Sequence, residues 1–300
     1  MRSTEDAVSS TRARAVRTIA AVWGLLAAAV TAAPHAAAGD AGGAAARHAR
    51  AAAADAAVRG ADVPGTAWYT DPSTGTLVVT ADGTVGTAEV ARIEAAARAG
   101  GGRLEVRRAP GHFAERVAGG DAISGPGGVR CTVGFNVQDG SGVKYALTAG
   151  HCVSAFGGAW SIGPVVAGSF PGNDYALIRY TDPSRAEGGV RGPGGTLIDI
   201  VDARTPSVGE SVCRSGSTTG VHCGRVTALN ATVNYGGGDI VSGLIQTTVC
   251  AEPGDSGGPL YSSQSALGLT SGGSGDCTVG GTTFFQPVVE PLSAYGVKVF

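Results

Sequence analysis

The chain has 300 residues, of which 50 are glycine, 6% aromatic and 15% charged, with a formal net charge of −2. Such a balance excludes a partner chosen by bulk charge, because there is no basic excess to hold nucleic acid or an anionic membrane. It describes a glycine-turned globular protein of one to three domains, neither predominantly helical nor disordered.

In chain order, Arg12, Arg14 and Arg17 precede an apolar stretch from Ile19 to Val30, followed by small residues through Ala36-Ala37-Ala38. The stretch is shorter than the roughly 20 residues of a bilayer span and its flanks are those of a signal peptide, cleaved after Ala33 or Ala38. From Gly39 to about Gly60 the chain is almost entirely Ala, Gly, Arg and His, a low-complexity linker or loosely helical lead-in. Trp68-Tyr69 and Thr76–Thr80 read as strands around the Asp71–Gly75 turn, and Ala88–Ala99 as a helix. From Val117 onward, short β-branched runs separated by Gly, Asn, Asp and Pro predict an antiparallel barrel or sandwich. They are Thr132–Val137, Tyr145–Thr148, Tyr175–Tyr180, Leu197–Val201, Val221–Thr227, Thr232–Tyr235, Ile240–Val249, Ala266–Thr270 and Thr282–Val289. A short helix over Val289–Tyr295 closes the chain. The first 116 residues hold 13 Arg and Lys against 11 Asp and Glu and the remainder 9 against 13, so a mildly basic leading segment precedes a mildly acidic β-rich body.

All six cysteines lie between Cys131 and Cys277. An even number in an exported chain predicts disulfides, and sequence proximity favours Cys131–Cys152, Cys213–Cys223 and Cys250–Cys277. No Cys-x-x-Cys pair or close Cys/His quartet supports a metal, and no cofactor is expected.

The chemistry is concentrated in Leu147-Thr148-Ala149-Gly150-His151-Cys152 and Gly254-Asp255-Ser256-Gly257-Gly258. A serine hydroxyl is a poor nucleophile until an imidazole takes its proton and N–H groups hold the oxyanion. Gly-x-Ser-x-Gly also fits the nucleophile elbow of α/β-hydrolases, but that fold needs its histidine after the serine and none follows His222. An acid-His-Ser order lacks its strand–helix alternation here, so the surviving order is His, Asp, Ser. Of the two histidines in the β-rich body, His222 sits inside the short Cys213–Cys223 loop, whereas His151 follows an apolar strand and is pinned by Cys152. Among Asp174, Asp182, Asp199, Asp202 and Asp239, Asp174 is best placed, at the start of the apolar run Tyr175–Ile178. Asp182 beside Pro183 reads as a turn and Asp199 and Asp202 as solvated strand positions. Asp255, next to the nucleophile, reads as a buried structural anion that needs a partner.

These segments, with Asn173–Ile178, Arg214–Gly220 and Leu269–Cys277, resemble the streptogrisins and α-lytic protease, secreted bacterial members of the chymotrypsin family. The likeness covers about residues 62–300 and is near-continuous from Val117. It implies an all-β body of two antiparallel six-stranded β-barrels with the active site between them, preceded by a small α+β pro-region. The domains are then 1–38 signal peptide, 39–116 linker and pro-region, 117–205 N-terminal barrel and 206–300 C-terminal barrel. It implies a secreted serine endopeptidase acting through an acyl-enzyme, with His151, Asp174 and Ser256 as triad and the N–H groups of Gly254 and Ser256 as oxyanion hole. Ser271 would bond the triad carboxylate and Arg214 would be the internal partner of Asp255. Ala251, Glu252, Pro253 and Gly254 would line one side of the P1 pocket, and Thr270, Ser271, Gly272 and Gly273 the other. Its base is expected to be uncharged, which favours large apolar or aromatic P1 residues; glutamate-selective relatives carry a histidine at the position of Thr270. The implied partners are polypeptide substrates, the protein's own pro-region and proteinaceous inhibitors, with the mature enzyme a monomer that binds no nucleic acid and no membrane. The pro-region resembles the short foldase type. The family's mature start falls at Val117, after Arg116, although Phe113 suits an apolar pocket better.

Overall fold

A computed structural model describes residues 37–154 and 158–300. The chain divides into two compact units, one of residues up to Ala81 together with Val85–Arg108, the other of Asp82–Thr84 with Ala109–Phe300. The division therefore falls eight residues before Val117. Of the predicted signal peptide only Ala37 and Ala38 lie among the described residues.

The first unit contains α1 (Ala37–Ala61), β1 (Thr66–Thr70), β2 (Thr76–Ala81), α2 (Thr87–Ala99) and β3 (Arg103–Arg108). The sheet order is β1-β2-β3, with β1 antiparallel to β2 and β3 parallel to it after the α2 crossover. The segment expected to be a linker or a loosely helical lead-in is a helix of 25 residues. Its alanines are the packing face: Ala54 and Val58 are buried with Leu77, Val79, Ile93 and Ala97 in one core. Small side chains bring helices close, and that contact supplies what the low-complexity sequence does not advertise.

The second unit begins with β4 (Val117–Gly119), β5 (Ala122–Ser124), β6 (Arg130–Thr132), β7 (Asn136–Gln138), β8 (Lys144–Thr148) and α3 (Gly150–Ser154). β9 (Ala159–Trp160), β10 (Gly163–Ser169), β11 (Tyr175–Arg179), β12 (Ala186–Arg191) and β13 (Leu197–Ile198) follow. Next come β14 (Asp202–Ala203), β15 (Ser211–Gly216), β16 (Gly220–Asn234), β17 (Ile240–Thr247), β18 (Pro259–Ser262), β19 (Ser265–Asp276) and β20 (Gly280–Pro287). The chain closes with α4 (Val289–Tyr295) and β21 (Lys298–Val299). In the second half, the ladder β19-β18-β15-β16-β17-β20 is closed by a β19–β20 pairing into a six-stranded barrel around Val226, Ile245, Leu260 and Phe285. Closure leaves no sheet edge exposed. The first half is built on the sheet β21-β7-β8-β11-β10-β9, flanked by the short ladders β13-β12-β4 and β5-β6, over a core including Ile123, Val133 and Ile178.

Two strands cross the boundary expected at residue 205. β14 pairs with β19 of the second barrel, and β21, at the end of the chain, pairs with β7 in the first. Phe135, Leu147 and Leu177 share a further cluster with Tyr261, Leu269 and Val288, so the halves meet over apolar side chains. The connection between them is pinned by Glu210, which accepts from Arg204 Nη2 at 2.6 Å and from the Ser207 N–H at 3.0 Å.

The Arg204 hydrogen bond leads the causes that hold the Glu210 carboxyl down at about 2, against an ordinary 4.5, while burial opposes them. A carboxylate whose folded value is depressed adds stability that is complete above its unfolded value and drains away as pH falls towards the folded one. Glu210→Gln is therefore expected to lower the melting temperature at pH 6 and to flatten its decline between about pH 4.5 and 2, as thermal unfolding across that range will measure.

Candidate active site

Asp174 stands at the mouth of β11 and is fully buried, unlike Asp182, Asp199, Asp202 and Asp239. A buried carboxylate needs its lone pairs filled. The His151 N–H donates to Oδ1 at 2.9 Å, the His151 ring Nδ1 lies 2.8 Å from Oδ2 and 3.1 Å from Oδ1, and Ser271 Oγ donates to Oδ2 at 2.5 Å. The Asp174 N–H in turn donates to Gln286 Oε1 at 2.8 Å, and Gln286 Nε2 donates to Glu290 on α4. Because an ionised carboxylate only accepts, Nδ1 carries the ring proton and Nε2 keeps its lone pair. His151 sits in the single turn of α3, tied to β6 by the Cys131–Cys152 disulfide. His222 faces Arg214 across the β15–β16 ladder and its Nε2 donates to Thr219 O at 3.1 Å, a structural bond.

Ser256 lies in the loop before β18. Its hydroxyl makes no hydrogen bond to any other described residue. Along this loop the Asp255 N–H donates to Glu252 O and the Gly257 N–H to Thr270 O, whereas the N–H groups of Gly254 and Ser256 have no protein acceptor among the described residues. Gly254 has φ +98°, and a Cβ there would fall 2.3 Å from Thr218 Oγ1, so only glycine keeps this backbone course.

Asp255 is fully buried and so is its partner: Arg214 Nη1 lies 3.2 Å from Oδ2. Around the pair, Asp255 accepts from the N–H groups of Thr218, Thr219 and Glu252 and from Thr219 Oγ1, while Arg214 donates to Cys250 O, Gly220 O and Thr219 Oγ1. Burial pulls the Arg214 guanidinium below its ordinary value and the Asp255 charge pulls it back. Cys213–Cys223 bridges directly opposed residues of the hairpin that supplies Arg214, Thr218 and Thr219. Cys250–Cys277 joins the approach to the nucleophile loop to the end of β19, so all three expected pairings are formed.

One cavity opens beside Ser256 and another beside His151. The first, of about 550 Å³, is lined by Ala251, Glu252, Pro253, Ser256, Thr270, Gly272, Gly273, Ser274 and Gly275. The other, of about 330 Å³, is lined by His151, Phe170, Tyr235, Ser271, Gly272 and Gly273. Gly272 and Gly273 border both, and Ser271 belongs to the second alone. Glu252 brings a carboxylate to a pocket expected to be uncharged. It stands in the wall, where its Oε1 accepts from the Cys277 N–H at 3.1 Å. Phe170, Tyr235 and Gln286 were not among the residues expected from sequence, since each reaches the site from a segment with no motif of its own.

Residues 164–293 match the trypsin family model and residues 44–101 the α-lytic protease prodomain. The chain is 52% identical to streptogrisin-A of Streptomyces griseus over 97% of both chains. It belongs to the streptogrisin family of serine endopeptidases. The crystal structure of Cellulomonas bogoriensis chymotrypsin is similar to this streptogrisin-family chain at 46% identity and TM-score 0.56, covering 62% of this chain and 98% of that one. A structure described as a glutamic-acid-specific serine protease that uses a histidine triad in substrate binding is similar at 46% identity and TM-score 0.58, covering 61% and 100%. In this streptogrisin relative no histidine lines the cavity beside Ser256.

Removing one member of the Arg214–Asp255 pair strands the other charge in the interior. Arg214→Met is expected to cost about 3–5 kcal/mol, read from the denaturant midpoint at unchanged m-value.

Proposed function

We propose that the protein is a secreted endopeptidase in which His151, Asp174 and Ser256 form the catalytic triad. The observation that carries this reading is the buried Asp174 carboxylate gripping both the ring Nδ1 and the main-chain N–H of His151, which leaves Nε2 as the base. Ser256 Oγ attacks the scissile carbonyl as Nε2 takes its proton, and Asp174 stabilises the imidazolium that forms. The two N–H groups without protein acceptors, on Gly254 and Ser256, receive the oxyanion. Collapse of the tetrahedral intermediate passes the proton from His151 to the leaving amine, and water repeats the sequence on the acyl-enzyme. The hydrogen bond from Ser256 to the imidazole forms when substrate is bound.

The cavity beside Ser256 takes the P1 side chain. With no arginine, lysine or histidine in its lining and glycines at 272 and 273, it accepts a large apolar or aromatic group. Glu252 adds repulsion against an acidic P1 residue, and Thr270 stands where the resemblance puts a histidine in glutamate-selective enzymes. On a panel of peptides differing only at P1, kcat/KM is expected to be at least about tenfold higher for Phe and Leu than for Arg or Glu. Ser256→Ala is expected to lose organophosphate labelling and on the order of 10⁶-fold in kcat. A higher value for Arg or Glu would reject the apolar pocket, and residual labelling of the alanine variant would reject Ser256.

Maturation begins on the exposed side of the junction. Phe113 is 47% exposed, whereas Val117 is buried in β4 and its carbonyl accepts from Asn136. A first cut after Phe113, which suits the apolar pocket, and later trimming to Val117 reconciles the enzyme's own selectivity with the family start. The pro-region acts as a foldase. Refolding residues 117–300 is expected to give active enzyme only when residues 39–116 are supplied, and equal active yields without them would leave that segment a spacer.

A further inference from the structure

Tyr235 follows β16, 21 residues before the nucleophile in a loop that no motif marks. Its hydroxyl lies 3.0 Å from Ser271 Oγ. Ser271 has one proton to give, and the 2.5 Å contact to the acceptor-only Asp174 uses it. The Tyr235–Ser271 bond therefore runs in one direction, from phenol to serine. Partial burial, its leading cause, holds the Tyr235 hydroxyl above the usual phenol range, so it remains a donor. The ring reaches Ser271 because residue 272 is glycine: a Cβ there would fall 2.7 to 2.9 Å from the Tyr235 ring. The loop is braced against the opposite wall of the cleft by Gly172 N–H to Ile240 O at 2.8 Å and Ser242 N–H to Gly172 O at 3.1 Å.

We propose that Tyr235 is a positioning residue, whose phenol, acting through the Ser271 hydroxyl, sets how firmly Asp174 holds His151. It also walls the cavity beside His151 and Phe170, so a substrate side chain entering that cavity touches the far end of the chain that orients the base. The ionisable groups around this chain are Asp174, His151, Tyr235 and, beyond Gln286, Glu290. With the phenol gone, Ser271 becomes a poorer donor and grips Asp174 less firmly, so the carboxylate orients the His151 ring less well even as it keeps more charge for the imidazolium. The acid limb of kcat/KM then moves to higher pH.

This rests on the triad proposed above, and the two are separated by one set of variants. Tyr235→Phe, Ser271→Ala, the double variant and Asp174→Asn are compared across pH, each normalised to sites titrated with an organophosphate so that folding yield drops out. Tyr235→Phe is expected to lower kcat/KM about threefold to tenfold, the worth of one hydrogen bond, and to raise the acid limb. On the Ser271→Ala background the same change is expected to cost less than about twofold, because the two residues share one path. The low-field proton resonance of His151 Nδ1–H is expected to move with Tyr235→Phe, a readout independent of turnover. Equal losses in both backgrounds, an unmoved acid limb or an unmoved resonance would overturn the relay. Near-wild-type turnover in Asp174→Asn would instead overturn the triad beneath it.

Discussion

The loop that carries Ser256 is held by a charge pair that water does not reach. Arg214 and Asp255 are each fully buried, and a pair so desolvated persists because the main chain around it and the Thr219 hydroxyl supply its remaining hydrogen bonds. That demand fixes the course of Glu252 to Ser256 on one side and of Thr218 to Gly220 on the other. The outward N–H groups of Gly254 and Ser256 are a by-product of the inward ones being spent. The backbone course around Ser256 is thus set by electrostatic satisfaction beneath the surface, and the Cys213–Cys223 bridge ties together the hairpin that supplies it.

The parts of this arrangement with a local signature were readable from the chain. His151 follows the end of β8, Asp174 precedes β11 and Ser256 lies among glycines before β18, the cysteines pair with their nearest partners, and the helix over Val289–Tyr295 is found at the predicted bounds. Other parts carry no local mark. The helix Ala37–Ala61 lacks an apolar stripe because alanine serves as its contact face. Gly163–Ser169 and Pro259–Ser262 contain the residues that usually end strands, and become strands because neighbours on both sides offer ladders. The two runs expected around residues 221 and 232 are one strand of 15 residues that passes through register shifts near Asn230, whose φ is +56°. Tyr235 and Gln286 join the site through hydrogen bonds spanning 36 and 112 residues, and such links leave no trace in composition or spacing.

The junction between pro-region and body has its own anchoring. His112 Nε2 lies 2.7 Å from Asp182, the Phe113 N–H donates to Asp82, and Arg116 donates to Ser184 O, so the segment before Val117 is held at several points. Between them the Phe113 side chain stands out. A protease that must be cut to mature is served by a segment whose main chain is ordered on either side of one accessible apolar residue.

The last strand pairs Lys298 and Val299 with Gln138 and Val137, returning the chain from the second barrel to the sheet of the first. This clasp adds a ladder to the connection near Glu210 and to the apolar cluster that the two halves share, and Lys144 Nζ stands 3.7 Å from the centre of the Phe300 ring beside it. Halves linked by a connection, a returning strand and a shared apolar cluster have little freedom to hinge. For a peptide meeting so rigid a surface, a segment already extended loses little entropy on entering, whereas a flexible one must be straightened at its own expense.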